Sequence, residues 1–242
     1  MLLRASLTRP LRIDHVLNRA LDTATLSADA LVGTLEPFDL LKRLAPPGSA
    51  ELLDFGTIRH EDITPYHGAP NWSSERNAAE FVGRLAAFMR AKTVVELGCF
   101  IGYTTAHIAT ALKTCNGHVY FVDLEKRAVE ATRANLERMG LAQFGTPLVG
   151  PSCDSTMMAQ LPAEINLAFI DTSHGYDDTV QEIETYGRRL SAGGCLVLHD
   201  TVRCPGVRIA VDRARRAFDL FTYATEGGNG VSVLVPKRKG QS

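Results

Sequence analysis

A chain of 242 residues with 45% apolar and 22% charged side chains has room for one large α/β domain with an extension, while two full domains would be cramped. Its net charge of -1 offers no electrostatic footprint for a nucleic-acid backbone, so Arg213, Arg215 and Arg216 read as a solvated helix face and Lys237, Arg238 and Lys239 as a soluble end. Five cysteines without Cys-x-x-Cys spacing, Cys99, Cys115, Cys153, Cys195 and Cys204, read as reduced thiols of a cytoplasmic protein, and no apolar run approaches the length of a membrane span.

Residues 1–71 read as an N-terminal helical extension and loop, and 72–242 as the principal domain. Arg4, Arg9 and Arg12 occur without a signal-peptide core or cleavage pattern, which makes the start an ordinary N-terminal segment. Apolar residues over 14–41 fall at loosely helical intervals and predict one or two short helices, a possible surface for homo-oligomer contact. Tandem Pro46 and Pro47 end that pattern. The loop that follows carries His60 and His67, which would either contact a substrate or stand as surface histidines. At Ser73-Ser74-Glu75-Arg76 a hydroxyl would cap a helix running to about residue 90, with Phe81, Val82, Leu85, Phe88 and Met89 as its apolar stripe.

The rest of the chain is organised around Thr93-Val94-Val95-Glu96-Leu97-Gly98-Cys99-Phe100-Ile101-Gly102-Tyr103-Thr104. A β-branched run ends in an acid, turns on Gly98 and Gly102, and passes into a helical pattern over 103–112. Gly98 lets a ligand approach the backbone, and Gly102 can take a dihedral that other residues avoid. The spacing Glu-x-Gly-x-x-x-Gly is not the Gly-x-Gly-x-x-Gly of a dinucleotide site, and a carboxylate there suits an amino-bearing ligand better than a phosphate.

Residues 118–122 form a second strand that ends in Asp123. That carboxylate can accept hydrogen bonds from vicinal ribose hydroxyls and could at the same time cap the helix over 125–139, which Gly140 stops. A third strand over 146–149 leads into Gly150-Pro151-Ser152-Cys153-Asp154, where Ser152 is also a potential helix cap. The apolar run 165–170 reads as a central strand ending in Asp171-Thr172-Ser173-His174, and 195–198 as another, introduced by Gly193-Gly194 and ending in His199-Asp200-Thr201. Asp171, His174, His199 and Asp200 should therefore meet on one rim of the sheet. Gathering such groups there is costly without a purpose. A helix over 207–218 and a glycine-joined hairpin over 219–236 complete the pattern. The whole predicts a doubly wound, mostly parallel seven-stranded sheet with an antiparallel C-terminal hairpin.

The segment Val95-Glu96-Leu97-Gly98, with Gly102-Tyr103-Thr104, resembles the first motif of class I S-adenosylmethionine-dependent methyltransferases, in particular the catechol and caffeoyl O-methyltransferases. The order of strand tips Glu96, Asp123, Ser152, Asp171 and Asp200 looks like a metal-dependent O-methyltransferase of the catechol or macrocin type over residues 74–236. The resemblance implies methyl transfer to a hydroxyl of a small molecule. It implies cofactor contacts from Glu96, Gly98, Phe100, Gly102, Thr104, Asp123, Leu124, Ser152, Cys153, Asp171 and Thr172, with Trp72 and Ser74 as candidates for a lid, or Trp72 as a core residue. It further implies Mg²⁺ on Asp171 and Asp200 with an adjacent residue completing the site, and His174 as general base beside these two catalytic acids, or else as a substrate-positioning or helix-capping histidine; an imidazole ligand from His199 would shift the metal preference toward Mn²⁺, Fe²⁺ or Zn²⁺.

The chain departs from the pattern at two positions. His199 stands where the macrocin type has an acid, and is either a metal ligand or a donor that orients Asp200. Thr201 stands where the catechol type has Asn. A nicotinamide-dependent oxidoreductase on a related sheet and a non-catalytic cofactor-binding module are the alternative readings.

Overall fold

A computed structural model describes residues 58–69, 72–223, 225 and 227–237. The helices expected over 14–41, and the oligomer contact suggested for the extension, lie outside the described residues. Seven strands form one sheet in the order β3-β2-β1-β4-β5-β7-β6. They are β1 (Thr93–Leu97), β2 (His118–Asp123), β3 (Gly145–Val149), β4 (Ile165–Ile170), β5 (Leu190–Leu198), β6 (Phe218–Tyr223) and β7 (Val231–Pro236). β1 to β5 are parallel, and β7 lies antiparallel between β5 and β6. The expected fold class is the one observed.

Among the described residues six α-helices cover the sheet: α1 (Arg76–Phe88), α2 (Tyr103–Cys115), α3 (Lys126–Arg138), α4 (Ser155–Gln160), α5 (Tyr176–Gly187) and α6 (Pro205–Ala214). The strands are apolar on both faces because both are covered. Val94, Val119, Phe121, Leu167, Phe169 and Val197 pack beneath Phe81, Leu85, Ile108, Leu112, Val129 and Leu136 of α1 to α3. The alternate residues Val95, Leu97, Val122, Ala168, Ile170 and Leu198 meet Met157, Ile183, Tyr186, Val207 and Val211 of α4 to α6. A strand places successive side chains on opposite faces, so the two cores follow from the same runs.

Three boundaries differ from the expected ones. The Ser73-Ser74 hydroxyls do not cap α1: its N-cap is Glu75, with no side-chain cap, and Ser74 Oγ donates instead to Asp171 Oδ2 at 3.0 Å. β5 takes in Gly193 and Gly194 rather than starting after them, with a register shift against β4. α6 starts at Pro205 and stops at Ala214, and Phe218 opens β6 with its ring against Gly187, so the apolar residue that had extended the helical pattern serves the sheet.

β1 and β4 are neighbours whose following helices lie on opposite faces, which leaves a crevice at their carboxyl ends, the usual ligand position of such sheets. The chain is pinned there. Asp171 N donates to Leu97 O at 2.9 Å, and Gly98 has φ +83° with its missing Cβ only 1.8 Å from the Asp171 carbonyl oxygen. Residues 58–69 strap across the same end: Ile58 and Ile63 are buried, and Asn135 bonds both the N–H and the carbonyl of Thr64. Gly98→Ala combines a left-handed dihedral with a backbone clash and should cost more than about 3 kcal/mol, read as a fall in the urea midpoint.

Candidate active site

A cleft of about 1430 Å³ opens at the carboxyl ends of β1, β2, β4 and β5. Of the residues expected in a site, Glu96, Gly98, Phe100, Thr104, Asp123, Leu124, Ser152, Cys153, Asp171, Thr172, His174, His199 and Asp200 all line it. Gly102 sits behind them as the left-handed N-cap of α2.

One half of the cleft is a fastened loop. Phe100 is held at φ 47°, an uncommon conformation for a bulky residue. Its N–H donates to Asp123 Oδ2 at 3.0 Å, its carbonyl accepts from Thr132 Oγ1 at 2.9 Å, and Asn135 Nδ2 donates to the Ile101 carbonyl at 2.7 Å. Asp123 is therefore not the cap of α3, whose N-cap is Glu125. Its second oxygen accepts from Glu125 N at 3.0 Å, and one lone pair on each oxygen is left for the cleft. Under the loop, Glu96 is 1% exposed and its Oε2 has no hydrogen-bond partner. Burial, aided by the charges of Asp171 and Asp123, pushes its carboxyl up to about 8 against the opposing pull of the nearby Thr105 hydroxyl. Such a group is short of a cationic donor.

At the far rim Leu124 is exposed. Ser152 does not cap α4, where Asp154 accepts from Thr156 N and Met157 N. Ser152 Oγ and Thr172 Oγ1 instead donate to the two oxygens of Glu182, at 2.6 and 2.8 Å. Cys153 is half-buried, and burial raises its thiol. Trp72 is 76% exposed and so no core residue; its ring stands 6.3 Å from Phe100 at the mouth. His67 also lines the cleft, whereas His60 stacks on Tyr103 at 3.8 Å, with Nε2 3.0 Å from the Ser74 carbonyl.

The other half is a charge cluster. His174, in a left-handed conformation at φ 59°, places Nε2 3.1 Å from Asp171 Oδ1 and 2.8 Å from Asp200 Oδ2. Asp200 is itself left-handed at φ 56°. His199 is buried, with Nε2 2.6 Å from Glu75 Oε2 and Nδ1 3.4 Å from Asp171 Oδ2 and from Asp200 Oδ2. Neither of these longer approaches is an aligned hydrogen bond. The carboxylates hold the His174 imidazole up at about 9, chiefly through the bonds it donates to Asp171 and Asp200. For His199 burial favours the neutral ring, yet the Asp171 charge and the three carboxylate contacts outweigh it and raise the group well above its usual value. Burial likewise works to raise Asp171 and Asp200, and the two imidazoles reverse it and hold both far below the usual carboxylate range. One donor atom each from Asp171, His199 and Asp200 falls within a 4.8 Å span, close enough to share one cation. Thr201 takes no part in this grouping: it is buried, and its Oγ1 accepts from Ser232 Oγ at 2.9 Å.

Residues 95–201 match the methyltransferase domain family. Two curated relatives, both named catechol O-methyltransferase, are 26% identical over 145 residues (Mycobacterium tuberculosis) and 29% identical over 139 residues (Niastella koreensis). Over those residues the chain is similar to methyltransferases. The alignments cover 60% and 56% of this chain, which spans about three-fifths of the length of these relatives, 64% and 60%. Solved structures of an O-methyltransferase from Bacillus cereus in complex with SAH and of the O-methyltransferase TomG from Streptomyces achromogenes in complex with SAM share the fold. Both have a TM-score of 0.61, at 18% and 17% identity, and cover 70% of this chain and 84% and 83% of their own chains.

Two residues around the cluster escaped the sequence reading, Glu182 on the cleft wall and Glu75 against His199. Glu182 had a signal, since Thr179, Glu182, Ile183 and Tyr186 form the buried stripe of α5 and an acid in such a stripe marks a polar neighbour. Glu75 had none, because its partner His199 is 124 residues away.

Glu96 titrates at about 8 folded against 4.5 in a free chain. Its share of the unliganded protein's stability is complete below 4.5 and is lost as the pH climbs to about 8. Glu96→Gln should therefore melt several degrees above the parent at pH 8.5 and no higher than it at pH 4.5, as measured by calorimetry.

Proposed function

We propose that the protein transfers a methyl group from S-adenosylmethionine to a hydroxyl oxygen of a small molecule, with a divalent ion at the Asp171, His199 and Asp200 cluster. The observation that carries this reading is the unpaired carboxylate of Glu96, buried in the same cleft that Asp123 enters from the next strand and the charge cluster enters from β4 and β5. A buried carboxylate short of a cation fits the ammonium of the cofactor's amino-acid end, and the free lone pairs of Asp123 fit two vicinal hydroxyls. The buried Nδ1 of His199, unpartnered between two acids, fits a metal, as hard carboxylate oxygens do. The names of the curated relatives point to the same chemistry.

When bound, the cofactor supplies an electrophilic methyl group and the ion supplies Lewis acidity to the acceptor hydroxyl. The chain's own residues do the rest. The loop 98–102 is already fastened by Asp123, Thr132 and Asn135, so little ordering is left to be done on binding. Trp72 and the 64–69 segment flank the mouth and limit water. His174 Nε2 receives the acceptor's proton, and it becomes available for that only when positive charge offsets Asp171 and Asp200, because in their uncompensated field the ring is an imidazolium at neutral pH.

Isothermal titration should show S-adenosylmethionine binding and no NADH binding. Its affinity should rise with pH up to about 8, since the ammonium requires ionised Glu96, and Glu96→Gln should weaken it at least ten-fold and flatten that dependence. With radiolabelled cofactor and a panel of phenols and sugar hydroxyls, transfer should be abolished by chelator and by Asp200→Ala, with cofactor affinity changed only a few-fold, while His174→Ala lowers kcat by about 10² or more. Full transfer by Asp200→Ala would remove the metal, and failure to bind the cofactor would remove the whole reading.

A further inference from the structure

Glu75 is an unusual residue to find buried at a helix start. As the N-cap of α1 it makes no side-chain cap, and its side chain is 13% exposed. It turns inward across the top of β5. Oε2 lies 2.6 Å from His199 Nε2, and Oε1 accepts from Thr225 Oγ1 at 2.9 Å. Thr225 is itself fixed, because its Oγ1 accepts from Gly230 N at 3.0 Å. A Cβ on Gly227 would stand 2.5 Å from Glu75 Oε1, so the turn between β6 and β7 closes on the carboxylate as well. The acid is thus aimed at one nitrogen of one ring, and that ring's other nitrogen is the buried atom without an aligned partner between Asp171 and Asp200.

A carboxylate can only accept a hydrogen bond from an imidazole, so Nε2 must carry the proton and the lone pair of a neutral ring must sit on Nδ1. Carboxylate partners on the far nitrogen of a ligating histidine fix its tautomer and orientation and raise its basicity, and losing one lowers metal affinity about 10–100-fold. We infer that Glu75 is a positioning residue that holds His199 as the Nε2–H tautomer, turning Asp171, Asp200 and His199 Nδ1 into a two-carboxylate, one-imidazole site that takes a borderline divalent ion in preference to Mg²⁺. The ion's class follows from the donors, since imidazole nitrogen favours Mn²⁺, Fe²⁺ or Zn²⁺ where an all-oxygen set suits Mg²⁺. The Asn position of the catechol type, occupied here by Thr201, contributes no oxygen that would restore such a set, because Thr201 is buried against Ser232.

The inference rests on the metal-assisted reading of this cleft, and binding measurements separate the two. Titrated with MnCl₂ and MgCl₂ in the presence of S-adenosylmethionine, the parent protein should hold Mn²⁺ at least ten-fold more tightly than Mg²⁺. Glu75→Leu should lose ten-fold or more in Mn²⁺ affinity, and Glu75→Gln, which keeps an acceptor oxygen, should lose less, with cofactor affinity within a few-fold in both. In ¹⁵N-histidine spectra of the Zn²⁺-loaded parent, His199 should show a protonated Nε2 and a metal-shifted Nδ1. Unchanged Mn²⁺ affinity in Glu75→Leu, equal affinity for Mg²⁺, coordination through Nε2, or no ion bound at all would each overturn the inference. If Glu75→Leu does not fold, the Gln variant and the parent's spectra decide the matter. Cofactor binding without any ion defeats the inference and leaves the methyltransferase reading standing, whereas absence of cofactor binding defeats that reading.

Discussion

Three carboxylates, Glu75, Asp171 and Asp200, share the ends of β4 and β5 with the imidazoles of His174 and His199, and none of the five could be buried there alone. The cost of taking a charge out of water is recovered only with partners at hydrogen-bonding distance, so each group constrains the position of the others. Glu75 ties the start of α1 to β5, Ser74 ties the preceding residue to Asp171, and Thr225 ties the β6–β7 turn to Glu75. His174 and Asp200 hold left-handed backbone conformations within this network, strain of the kind that persists only where surrounding contacts over-determine it. The site is assembled from both ends of the described chain.

The other half of the cleft follows the opposite electrostatic rule. Glu96 is buried without a cation to answer it, and the result is a carboxyl kept protonated into the neutral range until a positive ligand arrives. Next to it the loop 98–102 is tied down by Asp123, Thr132 and Asn135 before anything binds. A rigid cradle with one unmet carboxyl thus stands beside a cluster in which acids and imidazoles answer one another. Both halves sit on the two strands at which the sheet's winding reverses, so one topological fact brings them within the reach of a single small molecule.

The solved structures of the Bacillus cereus and Streptomyces achromogenes enzymes share this fold, and the side chains at the end of β5 are arranged in their own way here. Thr201 is drawn into a hydroxyl ladder with Ser232 and Thr222, and His199 turns its ring toward the acids instead. An exchange of that kind changes which ion a site prefers without changing the fold that presents it.

Much of this was legible in the sequence. Continuous apolar runs ending in Glu96, Asp123, Asp171 and Asp200 announced parallel strands with acids at their tips, because a strand buried on both faces can carry charge only where it leaves the sheet. Gly98 and Gly102 marked the turn, since their positive φ values of 83° and 89° are open to few other residues. Helix ends were less legible: Ser74 had the local chemistry of a cap and gave its hydroxyl to Asp171, and Phe218 had the spacing of a helix and joined β6. The amino-acid order by itself determined the sheet, the glycine turn after β1 and the set of acids and histidines at its edge, all of which are short-range patterns of apolarity and backbone freedom. Only the tertiary structure decided that Glu75 would grip His199, that Glu182 would hold Ser152 and Thr172, and that Asp123 would fasten Phe100, because these bonds join residues distant in the chain and depend on which buried polar group finds a partner first.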